Sequence, residues 1–154
     1  MRNPWDRLVS CYLDKIRPPE GPDPPTFRRG IPRTFEPYGL FRGGMPFGDF
    51  VRAVASIPDA EADAHFRSQH CFFADGARDL TIDRIGRFED VPGVFHELLQ
   101  RLGIAEFALP HDKRTKARQH ASAYYGDDDL LIELVATRYA TDVARFGYRF
   151  ERAT

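Results

Sequence analysis

Between Arg17 and Pro46 the chain is broken by Pro18, Pro19, Pro22, Pro24, Pro25, Pro32, Pro37 and Pro46, with Gly21, Gly30, Gly39, Gly43 and Gly44 among them. Proline fixes φ and lacks the N–H that a helix interior or a central strand needs, and glycine raises the entropy lost on ordering. The stretch from 17 to 46 is therefore expected to hold no regular element. A loop of that length inside a compact domain is usually functional or mobile. Its Arg17, Arg28, Arg29, Arg33 and Arg42 outnumber Glu20, Asp23 and Glu36. It reads either as a solvated basic loop or as a grip for an anionic ligand, with Arg28 and Arg29 as candidate contacts.

Regular structure is expected on both sides of this loop. Asn3 is a good N-cap and Pro4 a good first helical residue. Trp5, Leu8, Val9, Tyr12, Leu13 and Ile16 recur at helical spacing, which predicts a helix from Pro4 to about Ile16. Phe50, Val51, Val54 and Ile57 predict a short amphipathic helix over 47–57, ended by Pro58. Cys71-Phe-Phe73 and Leu80 to Arg87 read as short strands on either side of an Asp75-Gly76 turn. Asp90 and Pro92 open a third helix and Gly103 closes it, with Val94, Phe95, Leu98, Leu99 and Leu102 as its expected buried face. His111 to Ser122 reads as a polar, basic loop. Asp127 to Asp129 then start a long helix whose apolar face runs through Leu130, Leu131, Leu134, Val135, Tyr139, Val143 and Phe146.

Composition narrows the function classes. At 154 residues and 42% hydrophobic content the chain is one domain, residues 1–154, with enough apolar material for a core. A net charge of −1 gives no whole-chain nucleic-acid footprint, so no nucleic acid partner is expected. No apolar run approaches the roughly 18–20 residues of a membrane span, and no signal sequence opens the chain. Cys11 and Cys71 make no disulfide framework, which suits a reducing, cytoplasmic location, conditional on no further N-terminal anchor. His65, His70 and Cys71 offer three potential metal ligands without a fourth at a recognisable spacing, so no metal is expected. Of the 22 Lys and Arg residues only Lys15, Lys113 and Lys116 are lysine, leaving 19 arginines, a bias that either supplies planar forks for phosphates and sulfates or reflects a GC-rich genome.

The strongest chemical signal lies in the first ten residues. A helix start presents unpaired N–H groups and the positive end of the helix dipole. Arg2 stands just before that start, and Ser10 lies two turns along, so a fork and a hydroxyl donor flank an anion-attracting helix end. An ordinary capped surface helix would account for the same residues.

Arg2-Asn-Pro-Trp-Asp-Arg-Leu-Val-Ser10 followed by Tyr12 resembles the 3′-phosphate-binding segment of sulfotransferases, nearest to the carbohydrate group that includes the chondroitin and dermatan enzymes. Asp63-Ala-His65-Phe66-Arg67-Ser-Gln69 resembles that group's Asp-x-His-Trp-x-x-Gln stretch, with Phe66 in place of Trp. Ile85-Gly86-Arg87-Phe88-Glu89 is similar to its strand ending in Gly-x-x-Glu. Leu109-Pro110 with Lys113-Arg114-Thr115 is similar to its basic loop, and Tyr139, Asp142 and Phe146-Gly147-Tyr148 to its C-terminal pattern.

The resemblance implies an α/β, helix-rich, P-loop-NTPase-like fold. It also implies transfer of a sulfuryl group from 3′-phosphoadenylyl sulfate (PAPS) to a hydroxyl of a saccharide-like acceptor. Arg2 and Ser10 would bind the nucleotide 3′-phosphate; Arg7 would join them or serve a helix-surface ion pair with Asp14 or Glu89, and Lys113 and Arg114 would close over the nucleotide or form a solvated basic run. Read from the residues rather than from the resemblance, Arg28, Arg29 and Arg67 are candidate acceptor contacts, His65 is either the candidate base or a structural, hydrogen-bonded histidine, and Glu89 would anchor the site wall. The family's Lys and Gly-x-Ser/Thr cradle for the 5′-phosphosulfate finds no match among these residues. The expectation is therefore an N-terminally incomplete sulfotransferase domain, without its first strand and phosphate loop. A late-assigned start, a gene fragment or a short relic would each produce it. The competing expectation is a catalytically inactive nucleotide-binding or protein-interaction module. Such a module would form homo-oligomers through an open sheet edge or dock a partner on the Leu130–Phe146 face.

Overall fold

The computed structural model describes residues 1–16, 23–75, 78–79, 82, 84–105 and 121–152. Five helices carry the fold: α1 (Pro4–Lys15), α2 (Phe47–Ala55), α3 (Val91–Leu102), α4 (Asp129–Arg138) and α5 (Ala140–Phe146). Four two-residue strands, β1 (Phe27–Arg28), β2 (Ile31–Pro32), β3 (Ala74–Asp75) and β4 (Arg78–Asp79), form two antiparallel hairpins. Among the described residues there is no parallel sheet of the P-loop kind, and the chain is a helix-rich mixed fold. No helix among them is long and apolar enough to cross a membrane.

The helix ends follow local chemistry. The Asn3 side chain accepts from the Trp5 N–H at 3.1 Å, and Pro4 occupies the first turn, where a missing N–H costs nothing. Asp90 caps α3 through the Gly93 N–H, and Gly103 ends it at φ 62°. Asp128 caps α4 by accepting from the Leu131 N–H at 2.9 Å. The long final helix expected from the periodicity is two helices, because Tyr139 leaves helical geometry (φ −112°, ψ 29°) between α4 and α5.

The core lies where α2 packs against α4 and α1. Leu8 and Val9 from α1, Phe50, Val51 and Val54 from α2, and Leu131 and Val135 from α4 are buried there. A block of edge-to-face and tilted aromatic contacts joins Phe35, Phe41 and Phe66.

The stretch from 17 to 46 corrects the expectation of no regular element. Within its described part, from Asp23 on, β1 and β2 close around a two-residue turn at Arg29 (φ 53°) and Gly30 (φ 80°), both left-handed as a tight hairpin requires. A 3₁₀ helix over Arg33–Tyr38 follows. Pro32 sits at a strand end and Pro37 inside the short 3₁₀ helix, so the prolines border or join elements rather than abolish them. Phe27, Ile31, Phe35, Phe41 and Met45, spaced between the breakers, are all buried, and their burial drives the order.

Four other expectations are corrected. Gln69–Phe73, including Cys71-Phe-Phe73, is a 3₁₀ helix rather than a strand, and the hairpin comes just after it. The described residues of the 80–87 stretch (82 and 84–87) contain no strand. Of the expected α3 face only Leu99 is buried, and Leu98 and Leu102 are 48% and 61% exposed. Leu130, at 79% exposure, likewise falls outside the buried face of α4. Gly86 packs so closely on α3 that a Cβ there would stand 2.5 Å from Val94 Cγ1.

Candidate functional site

The three residues that lead into α1 are each tied to a distant part of the chain. The Met1 amino group donates to the Gly86 carbonyl at 2.5 Å, and the Phe88 N–H donates to the Met1 carbonyl. The Arg2 N–H donates to Gln69 Oε1 at 2.9 Å, and Gln69 Nε2 returns a bond to the Arg2 carbonyl at 2.7 Å. The Asn3 N–H donates to Glu89 Oε1 at 2.7 Å, while its Nδ2 donates to the Arg149 carbonyl. Glu89 thus holds the residue that caps α1, and the Tyr148 hydroxyl lies 3.4 Å from its other oxygen.

A second layer holds the first. Buried Asp142 accepts from the N–H groups of Gln69 (2.6 Å) and His70 (2.8 Å), fixing the segment from which Gln69 reaches Arg2. The buried Tyr139 hydroxyl donates to the Phe66 carbonyl at 2.6 Å. Tyr139 and Asp142, three residues apart across the start of α5, thus grip both ends of the 66–70 run.

Along α1, from Arg2 just before its first turn to Lys15 in its last, lies an open hollow of about 380 Å³, walled by Arg2, Arg7, Ser10, Cys11, Lys15 and His65 together with Asp14 and Ala64. Four candidate residues taken from the sequence, Arg2, Arg7, Ser10 and His65, thus share one cavity. The Arg2 guanidinium lies over the Phe88 ring at 4.8 Å. Burial pulls it below its ordinary pKa, which Asp6 and Glu89 oppose, and an arginine so placed still carries its charge at neutral pH. Arg7 has both terminal nitrogens on carbonyls, donating to Arg67 O at 2.5 Å and to Ala64 O at 2.8 Å. It is a strut between α1 and the 64–67 turn as well as a wall of the hollow. Lys15 pairs with Asp14 at 2.7 Å. Burial pushes the Cys11 thiol up to about 12, so it is a neutral, apolar part of the lining.

His65 is oriented by Asp63, whose Oδ1 lies 2.5 Å from the ring Nδ1 and also accepts the His65 N–H at 2.9 Å. Burial opposes ionisation of Asp63, yet the bonds from His65 and from Thr34 hold its carboxyl below the usual range. An ionised acceptor at Nδ1 favours the tautomer with its proton there, in which Nε2 carries the lone pair of the neutral ring.

The other candidates stand apart from this hollow. Arg28 and Arg29 line a second cavity of about 470 Å³ with Ile31, Glu36, Phe41 and Arg42. Arg28 is 3.6 Å from Glu36 and Arg42 is 3.8 Å from Asp49. Arg67 donates from Nε to the Ala62 carbonyl and so belongs to the turn that carries His65. Lys113 and Arg114 lie outside the described residues. Sequence reasoning did not single out Lys15 and Cys11 as lining residues, although both fall on the helix face of Arg7 and Ser10 at three- and four-residue spacing.

Curated proteins and solved structures gave no match to this chain. A family model described as the sulfotransferase family matches residues 1–149, a span that takes in both the Arg2 hollow and the Tyr139–Tyr148 segment that braces it. The match spans nearly the whole chain, and the chain belongs to the sulfotransferase family.

Proposed function

We propose that the protein transfers a sulfuryl group from PAPS to a hydroxyl of a saccharide-like acceptor, in the manner of the carbohydrate branch of the family. The hollow beside α1 is proposed as the seat of the nucleotide 3′-phosphate. The observation that carries this reading is the meeting of Arg2 and Ser10, eight residues apart, with Lys15 and His65 in one cavity along a capped helix. Arg2 supplies a charged fork already fixed by its backbone, Ser10 a hydroxyl donor and Lys15 a point charge. Arg7 supports that wall from its two carbonyl contacts.

In the proposed reaction the acceptor oxygen attacks sulfur and the bond from sulfur to the bridging phosphate oxygen breaks. The nucleotide leaves as 3′,5′-adenosine bisphosphate, and a base takes the acceptor proton. Positioning and charge stabilisation carry such a transfer, with no covalent intermediate needed. His65 is the proposed base, because Asp63 holds its Nδ1 and leaves Nε2 with its lone pair. The cavity bearing Arg28, Arg29 and Arg42 is the proposed acceptor side, suited to an anionic saccharide.

The test is transfer of label from sulfur-labelled PAPS to a panel of neutral and acidic oligosaccharides. Label appearing on a saccharide, with the acidic members preferred and Arg29→Ala removing that preference, supports the reading. No transfer to any hydroxyl by a folded protein that binds the nucleotide overturns it.

A further inference from the structure

One polar cluster outside the α1 hollow is left unused by the proposed reaction. A carboxylate oxygen of Asp59, a ring nitrogen of His70 and Sγ of Cys71 lie within 4.8 Å of one another, and all three residues are partly exposed. His70 Nδ1 is 2.8 Å from Asp142 Oδ1, and its Nε2 is 3.5 Å from Cys71 Sγ. Asp142 is 0% exposed and already accepts two backbone N–H groups, so it is fixed and acts as the acceptor of the Nδ1 proton. The lone pair of His70 is therefore on Nε2, directed to the side where the thiol and Asp59 stand.

We propose that Asp59, His70 and Cys71 form a site for a zinc-like divalent cation, with His70 binding through Nε2 and one coordination position open to water. Three observations converge on it. A zinc ion with bonds of about 2.3 Å to sulfur and 2.0–2.1 Å to nitrogen, at the tetrahedral angle, places those two atoms about 3.6 Å apart. The pair stands at 3.5 Å here. Asp142 makes to His70 the outer contact that metal-binding histidines ordinarily have, a carboxylate on the ring N–H that fixes tautomer and orientation. The donor set of one sulfur, one nitrogen and one oxygen favours zinc over magnesium or calcium, which take oxygen ligands.

Arg138 sets a limit on affinity. Its guanidinium is 2.7 Å from Asp59 Oδ1, an oxygen that also accepts the Ser68 N–H, so a cation would share this carboxylate with a positive neighbour. The site is therefore weaker than a closed four-ligand structural zinc site. It does not depend on the proposed sulfuryl transfer, since none of its three ligands lines the α1 hollow.

The experiment is a titration of chelator-stripped, folded protein with Co²⁺ followed by absorbance, and with Zn²⁺ by calorimetry. One equivalent of Co²⁺ is expected to give a thiolate-to-cobalt charge-transfer band together with the visible bands of a four-coordinate ion, and Zn²⁺ to bleach both. Cys71→Ser is expected to abolish the charge-transfer band, whereas Cys11→Ala retains it. His70→Gln is expected to weaken binding at least tenfold, and circular dichroism confirms that each variant is folded. Either no band in the folded wild-type protein or a band that survives Cys71→Ser overturns the site. Zinc binding unaffected by His70→Gln overturns it equally, and leaves the thiol–imidazole contact as a simple hydrogen bond.

Discussion

Gln69 pairs with the backbone of Arg2 as a neighbouring strand would, accepting its N–H at 2.9 Å and donating to its carbonyl at 2.7 Å. A side chain 67 positions away thereby supplies both backbone partners of the residue that begins the candidate site. Gln69→Ala leaves both Arg2 groups unpaired. The expected loss is about 1–3 kcal/mol of stability, read by urea denaturation, with at least tenfold weaker nucleotide binding. Gln69→Glu keeps an acceptor but loses the donor and should fall between. Equal binding by all three proteins would show that Arg2 does not depend on this bracket.

The two faces of the helical layer should respond differently to truncation. Leu131 is buried against the α1 and α2 side chains, and Leu131→Ala is expected to cost about 2–4 kcal/mol. Leu102 on α3 is 61% exposed, and Leu102→Ser should stay within about 0.5 kcal/mol of wild type. A large loss at Leu102 would mean that the α3 face is covered in solution.

Stability at acid pH should report the Asp59–Arg138 pair. Burial alone would raise the Asp59 pKa, but Arg138 and Ser68 outweigh it and hold the carboxyl at about 2 against an ordinary 3.8. Because the folded value lies below the unfolded one, the contribution is complete above about pH 4 and is lost as pH falls toward 2. Solvent reaches Asp59, which reduces the effect to on the order of 1 kcal/mol. The stability gap between wild type and Asp59→Asn should shrink across pH 4 to 2. A constant gap would remove the pair as its cause.

His65→Gln tests the proposed base. Loss of a general base should lower kcat by about a hundredfold or more with little change in KM for PAPS. An unchanged kcat with weakened nucleotide binding would reassign His65 to the phosphate side of the hollow.

Much of the helical frame was legible because its signals are local. Asn3-Pro4 and the pair Asp90 and Gly103 carry their caps within a few residues of the elements they bound. The Gln69–Phe73 turn was not legible, because Asp142, 73 positions from Gln69, takes the N–H groups that would otherwise pair in a strand. Periodicity identified the apolar face of α3 but carries no information on what covers it. The hairpin at 27–32 was obscured by its own breakers, since Gly30 and Pro32 punctuate a tight turn as readily as an irregular loop. In the site, residue types pointed to Arg2, Ser10 and His65. Only the fold revealed that Arg7 is held by two carbonyls and that Asp142 orients His70.

The central claim is that the hollow beside α1 holds the 3′-phosphate. Calorimetric titration with 3′,5′-adenosine bisphosphate, for wild type, Arg2→Ala and Ser10→Ala, tests it most directly. Losing the charged fork should cost about 1.5–3 kcal/mol, roughly ten- to a hundredfold in affinity, and losing the hydroxyl about 0.5–1.5 kcal/mol. Adenosine 5′-phosphate, which lacks the 3′-phosphate, should bind all three proteins alike. Equal binding of the bisphosphate by wild type and Arg2→Ala, both folded, would contradict the account.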